Sequence, residues 1–349
     1  MTDFPPGSPA AEGFFMPAEW RRHAGTWMAW PAREAIWHGK IDRAYAGYAV
    51  VACTVNRFEP VTVLARPQDV EIARMACGGL VKVEACDLDD SWMRDIGPSF
   101  LINKAGDEVA GVDWRFNAWG GKWPDCAQDA EVARFILEQA GIRRFEAPFV
   151  LEGGSIHVDG QGTILTSEQC LLNPNRNPSL SREAIEAHLK AWLGGSQVIW
   201  LGEGLENDDT DGHVDNLACF ARPGMVLAAS CFDRSDANYE PLAENIARLR
   251  EARDAQGNPL QVVELPIPAK RVTEAGRLAL SYVNSYICND AVLVPAFEDR
   301  MDRIAVEILR DVFPSRSVVQ IPALDILQGG GGIHCITQQQ PALRPKPAS

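Results

Sequence analysis

One unit recurs along this chain: a polar residue near a glycine, an apolar strand, a tight turn and a second apolar strand. It reads RDIGPSFLINKAGDEVAGV from Arg94, EGGSIHVDGQGTILTS from Glu152, GHVDNLACFARPGMVLAAS from Gly212 and SYVNSYICNDAVLVPAF from Ser281. A fifth copy, GGGGIHCITQQQP from Gly329, keeps only its first strand, and HAGTWMAWPA from His23 can complete it. The turns AGD, DGQG, ARPG and CND carry hairpin residues. Between the hairpins, stretches such as SREAIEAHLKAWLGG and DRMDRIAVEILRDVF place apolar residues at helical spacing. Each leads into a short apolar strand, for example QVIWLG or SVVQIP. The anchor residues Asp95, Glu152, His213, Asn284 and Cys335 stand roughly 60 residues apart. Stacked modules without end caps must close on themselves. The pattern therefore predicts an α/β protein of five modules around an axis, with the anchors meeting at one end. The alternative is a chance run of strand-turn-strand units in an ordinary α/β protein.

Low-complexity sequence is confined to the ends. Residues 1–13 and 341–349 read as loose, and residues 14–340 as a single domain. No run of ~18 apolar residues suggests a transmembrane helix. The opening MTDFPPGSPAAEGFF lacks a basic and an apolar signal region, which predicts a cytoplasmic protein. Lys and Arg number 33 against 47 Asp and Glu, a net charge of −14. That argues against nucleic acid and anionic membranes as partners and leans toward a cationic small molecule. Acidity that serves only solubility reads the same way. The nine cysteines are odd in number and show no C-x-x-C, which disfavours disulfides and zinc sites. Eight of the ten tryptophans precede residue 124, as core or as the wall of a pocket for a flat or cationic ligand.

Cys335 ends a run of four glycines, where backbone can approach a ligand closely. The run lacks the Lys-Ser/Thr of a phosphate loop. A nucleophilic thiol and a buried cysteine behind a flexible hinge both fit. His213 lies in NDDTDGHVDN, among Asp208, Asp209, Asp211 and Asp215. Carboxylates raise an imidazole pKa, so His213 suits a general acid that later serves as base; a solvated acidic loop is the plainer reading. On a strand, Asp215 would share a face with His213, and His334 would face away from Cys335 as a structural residue. Asp95 in DDSWMRDIGPSF is either a ligand-binding carboxylate or the ion-pair partner of Arg94. Glu152 precedes two glycines at the matching place in the second unit. No motif carries metal-ligand spacing. Paired carboxylates recognise a planar guanidinium, and a thiolate can attack its electron-poor carbon. Together these point to hydrolysis of a guanidine C–N bond with neither metal nor cofactor.

The segments PAEWRRHAGTWMAWP, DDSWMRDIGPSF, WRFNAWGGKW, LEGGSIHVDGQGTILTSEQCLLNPNRNP, NDDTDGHVDN, SYVNSYICNDAVLVPAF and GGGGIHCITQQ resemble the agmatine deiminase family. That family belongs to the guanidino-group modifying enzymes of the peptidyl-arginine deiminase superfamily, with the pentein fold. The resemblance spans about residues 14–340 and implies a five-bladed α/β propeller of ββαβ repeats with pseudo-fivefold symmetry. It implies Cys335 as nucleophile, His213 as acid/base, and Asp95 and Asp215 as the carboxylates that grip guanidinium. It implies that Trp92 and Glu152 line the substrate pocket. Asp209 stands where the family usually carries a Glu near the substrate amine, and Trp119 fits a wall against the aliphatic chain. The implied reaction is hydrolysis of agmatine to N-carbamoylputrescine and ammonia, in polyamine biosynthesis, by a hydrolase of linear amidines that could be a homo-oligomer.

Three positions depart from the family pattern. Asp211 replaces an Asn, Gly332 replaces an Asn, and the short KWPDC after Gly121 replaces a longer Gly-rich insert. All three fall near the substrate's far end or the rim, with Asp209, Glu152 and Asp211 expected around the amine. The other readings are a deiminase of arginine, peptidyl-arginine or another guanidine, an amidinotransferase of the same fold, and a non-catalytic polyamine-binding module.

Overall fold

The computed structural model describes residues 4–273 and 276–344. The expected helices form at Ile41–Val55, Val70–Ala76, Val132–Gln139, Arg182–Leu193, Tyr239–Glu251 and Met301–Val312. Their apolar stripes turn inward. Met301–Val312 buries Ala305, Val306, Leu309 and Val312, and Arg182–Leu193 buries Ile185, Leu189, Ala191 and Leu193. The latter helix opens on Ser181, whose side chain accepts the Ala184 amide at 3.3 Å. Among the described residues no helix is long and apolar enough to cross a membrane.

The sheets repeat one plan in a mixed α/β fold. An antiparallel hairpin is followed by a helix, then by a strand parallel to the hairpin's second arm. Ala218–Arg222, Met225–Ser230 and Gln261–Pro266 are one example. Tyr286–Cys288, Ala291–Ala296 and Ser317–Pro322 are another, and His157–Val158, Thr163–Ser167 and Gln197–Leu201 a third. Ser99–Asn103, Val109–Arg115 and Arg143–Val150 form a fourth, to which Phe14–Phe15 adds an outer strand. The fifth joins the chain's two ends. Gln338–Pro341 pairs antiparallel with His23–Ala29, which runs parallel to Val61–Ala65 and, beyond it, Lys82–Ala85. Parallel neighbours need a crossover, and the amphipathic helices supply it. A two-stranded ribbon, Val272–Thr273 with Gly276–Arg277, stands apart from these sheets.

The anchors do not lie on strands. Asp95 sits in the single helical turn Met93–Ile96, Glu152 precedes the turn Gly153–Ser155, and His213 precedes Val214–Asn216. Cys335 likewise lies in a turn at 333–336, before Gln338–Pro341. Strand alternation therefore does not govern these side chains, although His334 still lies off the cavity that Cys335 lines and Asp215 still stands with His213 over Gly154. The ends are also more ordered than expected. Ala10–Glu12 forms a 3-10 turn, Ser8 is buried, and the Ala342 and Arg344 amides bond to Arg22 and Gly106. Residues 1–3 and 345–349, also read as loose, lie outside the described residues.

A buried knot ties the end-joining sheet to the hairpin at 286–296. Glu59 accepts His23 Nδ1 at 2.9 Å, the Asn289 amide at 2.6 Å and the Tyr286 hydroxyl at 3.3 Å, and also bonds Thr26. Asn289 answers by bonding the His23 backbone through both ends of its side-chain amide. Removing one member of a buried hydrogen-bonded network leaves its partners unsatisfied. Glu59→Ala should therefore cost about 1–3 kcal/mol of unfolding free energy in urea titration. A loss below about 0.5 kcal/mol, the level of an ordinary surface change, would show that the knot does not hold these sheets.

Candidate active site

The single turns before the hairpins converge on a cavity of about 300 Å³. Trp92, Asp95, Trp119, Asp209 and Cys335 line it, with Asp90, Lys122, Trp123 and the backbone of Gly329, Gly330 and Gly331. Trp92 stacks on Trp37 at 6.0 Å, so one wall is a packed aromatic pair.

Cys335 lies on the floor. The Asn284 side-chain amide reaches its Sγ at 3.2 Å, and Sγ is 3.6 Å from Asp215 Oδ2. Burial, then Asp215 and Asp95, push the thiol well above its ordinary range; the Gly332 N–H and Asn284 only partly counter this. Gly332 is close-packed: a Cβ there would fall 2.3 Å from Asn284 Oδ1. An Asn there would displace the group that holds the thiol, so glycine here is coupled to the position of Asn284.

Asp95 is not the partner of Arg94. Arg94 turns away to Gln339 at 2.8 Å and toward Glu19 at 3.8 Å. Asp95 instead accepts the Gly154 amide and the Trp119 indole N–H, both at 2.9 Å. Trp119 holds a left-handed backbone, φ 52° and ψ 45°, uncommon for a bulky residue and typical of functional sites. The indole is thus both a wall and a clamp on Asp95. Burial lifts the Asp95 pKa above the usual range, with Asp215 and Glu152 adding to it and His213 and Trp119 opposing.

His213 is 1% exposed, and neither ring nitrogen has a hydrogen-bond partner among the described residues. Its Nδ1 is 3.8 Å from Asp95 and its Nε2 3.7 Å from Glu152. Burial pulls its pKa down, but Asp95, Cys170 and Glu152 outweigh that and hold an imidazolium. Asp215 is held below the usual range despite burial, chiefly by His334, whose Nδ1 lies 2.8 Å from Asp215 Oδ2. Asp215 Oδ1 is buried and accepts no hydrogen bond among the described residues. A Cβ on Gly154 would fall 2.5 Å from His213 Nδ1, 2.9 Å from Asp95 and 3.1 Å from Asp215. Only a glycine lets these three groups crowd together.

Two expectations need correction. Glu152 does not line the cavity; His213 and Asp215 do not line it either, but stand buried directly behind Asp95 and Cys335. Glu152 is fully buried behind His213, with Arg176 on its Oε1 at 2.9 Å. Asp211 is not open to an amine, because Lys122 at 2.9 Å, Asn175 at 3.0 Å and Arg176 already hold it. The short segment after Gly121 therefore supplies a cation that closes the acidic loop: Lys122 also bonds the Asp209 carbonyl. Of the expected amine ligands only Asp209 remains at the cavity, its pKa raised by burial and by Asp208 and Asp211 against Lys122.

Arg176, Lys122, Asn284's contact with the thiol and Cys170 beside His213 had no readable signal, because each acts through a partner far away in sequence. Among the described residues, two groups have atoms close enough for a metal: Glu152, Cys170 and His213, and Glu19, His157 and His334. An arginine already attends each, Arg176 and Arg94 respectively. A second cation would be repelled.

The floor is thus a thiol among carboxylates and an imidazolium, shaped for a small planar cation. The comparisons agree with this class. The family described as Porphyromonas-type peptidyl-arginine deiminase matches residues 15–341, and the chain belongs to that family. It is 49% identical to the agmatine deiminase of Stutzerimonas stutzeri, over 96% of this chain and 97% of that one. It is 47% identical to that of Pseudomonas aeruginosa, over 97% and 99%. A solved agmatine deiminase of Enterococcus faecalis matches with a TM-score of 0.91 at 38% identity, covering 98% of both chains.

The electrostatics of the floor are testable without a substrate. Thiolate, not thiol, reacts with iodoacetamide. The Cys335 peptide should alkylate slowly at neutral pH, with a rate still climbing above the ordinary thiol pKa of about 8.5. Asp215→Asn should shift that profile to lower pH. A wild-type profile that levels off at or below the ordinary value, followed by mass spectrometry, would contradict the repulsion read here.

Proposed function

We propose that this chain is an agmatine deiminase that hydrolyses agmatine to N-carbamoylputrescine and ammonia through a covalent thiouronium on Cys335. The observation that carries the reading is a set of buried groups beside the thiol: the unpartnered Asp215 Oδ1, the Asp95 carboxylate and the unpartnered His213 ring. A buried oxygen without a donor is costly, and a guanidinium N–H supplies one. The named relatives support agmatine as the guanidine. In the same reading, the five sheets stand as blades of a pseudo-fivefold propeller, within one catalytic unit spanning residues 14–340. The nine unpaired cysteines suit a reducing cytoplasm.

The chemistry follows from the charges. The guanidinium enters first, and Asp95 and Asp215 take its N–H groups. Its positive charge offsets theirs, so the Cys335 proton is released to solvent water as the guanidinium binds, and the thiolate attacks the central carbon. His213, as imidazolium, gives its proton to the departing nitrogen, which leaves as ammonia while the S–C bond persists. The neutral imidazole then takes a proton from water, whose oxygen adds to the same carbon. Collapse to the carbonyl breaks the S–C bond, the departing sulfur takes the hydroxyl proton, and the ureido product is released. Glu152, backed by Arg176, keeps the His213 charge balanced from behind. The steps require no metal or cofactor.

Asp209 at the cavity mouth attracts an ammonium and repels the α-carboxylate of arginine. Asp209 is exposed, so an opposite charge beside it gains and a like charge loses about 0.2–1 kcal/mol each, and each 1.4 kcal/mol is about tenfold. In a panel of guanidines assayed for ureido product, agmatine should exceed free arginine in kcat/KM by about tenfold. Asp209→Asn should narrow the gap mainly by harming agmatine. Equal values for the two substrates would move the assignment to a broader guanidine deiminase.

His213→Ala should lower kcat by about 10²–10⁴-fold, the usual contribution of a general acid/base. A loss of less than about tenfold, with the fold intact by circular dichroism, would remove His213 from the proton transfers.

A further inference from the structure

Behind the floor of the cavity runs a second line of buried groups. His334 Nδ1 lies 2.8 Å from Asp215 Oδ2, and its Nε2 lies 2.8 Å from Glu19 Oε2. Glu19 comes from the N-terminal segment, and its other oxygen accepts the Ile287 amide at 2.8 Å. Arg94 stands 3.8 Å from Glu19 and reaches the His334 carbonyl at 3.4 Å. His157 Nε2 is 3.8 Å from the same Glu19 oxygen. All five side chains are 5% exposed or less. His334 is fixed from its backbone too, since its amide donates to Asn284 Oδ1 at 3.0 Å. Asn284 is also the residue that holds the Cys335 sulfur.

We infer that His334 and Glu19 are positioning residues for the deiminase reaction: His334 aims Asp215 Oδ1 at the substrate by holding Oδ2, and Glu19 holds His334. This rests on the functional reading above and adds to it two residues that do not line the cavity. A carboxylate held at one oxygen by a charged donor leaves the other in a fixed direction, without the reorganisation a free rotamer would need. Burial pushes His157 down to about 4, so it is neutral at physiological pH. Burial and Arg94 also pull His334 down, but Glu19 and Asp215 prevail and raise it. The imidazole between the two carboxylates is thus the charged one, and it holds Asp215 ionised.

The sign of the pH effect follows. Asp215 also faces His213, Asp95, Arg94 and the Cys335 thiol. With His334 present its pKa is depressed, so the grip on guanidinium is kept until low pH. Without His334, burial and Asp95 dominate, Asp215 takes up a proton at higher pH, and the acid limb of kcat/KM moves upward.

The test compares His334→Ala, His334→Gln and Glu19→Gln with wild type, measuring kcat and KM for agmatine across pH together with thermal melting. His334→Ala should lower kcat/KM by about 10- to 100-fold, the range for a lost charge-assisted hydrogen bond, mainly through KM. Its acid limb should rise. His334→Gln keeps one N–H and should recover part of the KM loss. Glu19→Gln should shift KM and the acid limb in the same direction by less, and should add little in the His334→Ala background. Wild-type KM and acid limb in both His334→Ala and Glu19→Gln, even with lowered melting temperatures, would overturn the inference and leave a structural cluster only. A fall in kcat with unchanged KM and acid limb would overturn it as well. If His334→Ala does not fold, the same criteria apply to Glu19→Gln. Absence of ureido product from wild type would instead defeat the functional reading itself.

Discussion

Asp95 and Asp215 bring two carboxylates to a buried thiol, and the three cannot all be charged without a cation among them. Burial raises the cost of each charge, and proximity raises it further. The Cys335 thiol is pushed far up as a result. His213 offsets part of the imbalance as an imidazolium on one side, and His334 offsets part on the other. What remains is a demand for one more positive group beside the sulfur. In the proposed reaction the substrate meets that demand, so the nucleophile is generated by the molecule it attacks. The thiol stays protonated when that molecule is absent, which limits its reaction with stray electrophiles.

The fold serves this arrangement by a single device used repeatedly. Each hairpin is preceded by one turn of irregular or helical chain, and each of the five presents one polar side chain: Asp95, Glu152, His213, Asn284 or Cys335. The strands behind the turns are apolar and carry no chemistry of their own. Gly154 and Gly332 then remove the Cβ atoms that would wedge these turns apart. Around the cavity His38, Ala118, Trp119 and Asp211 all hold left-handed backbone, and that of Trp119 aims its indole N–H at Asp95. The shape of the floor is in this sense determined by close backbone approach as much as by the charged groups themselves.

Much of this was legible in the sequence, for a physical reason. Helices such as Arg182–Leu193 and strands such as Val61–Ala65 carry a periodic apolar pattern, and their bounds fall within a few residues of the expected ones. The pairing of 338–341 with the strand from His23 followed from an unfinished hairpin. A turn of three or four residues has no period. The turns at 214–216 and 333–336 therefore read as strand, which left unseen the contact of His334 with Asp215 at 2.8 Å. Glu152 was placed at the pocket wall because nothing near it in sequence announces Arg176. Asp211 was offered to the substrate for the same reason, although Lys122 and Arg176 occupy it. Residue type marked the chemistry, and tertiary partners decided which charges stayed free.

The central claim is that Cys335 forms the covalent bond. Wild-type protein mixed with agmatine and quenched in acid within a few turnovers, then digested and weighed by mass spectrometry, addresses it directly. The peptide holding Cys335 should gain the mass of agmatine less ammonia, and the gain should vanish as the substrate is exhausted. Modification of another cysteine, such as Cys231 or Cys288, or steady product formation with the Cys335 peptide replaced by its alanine variant, would contradict the account.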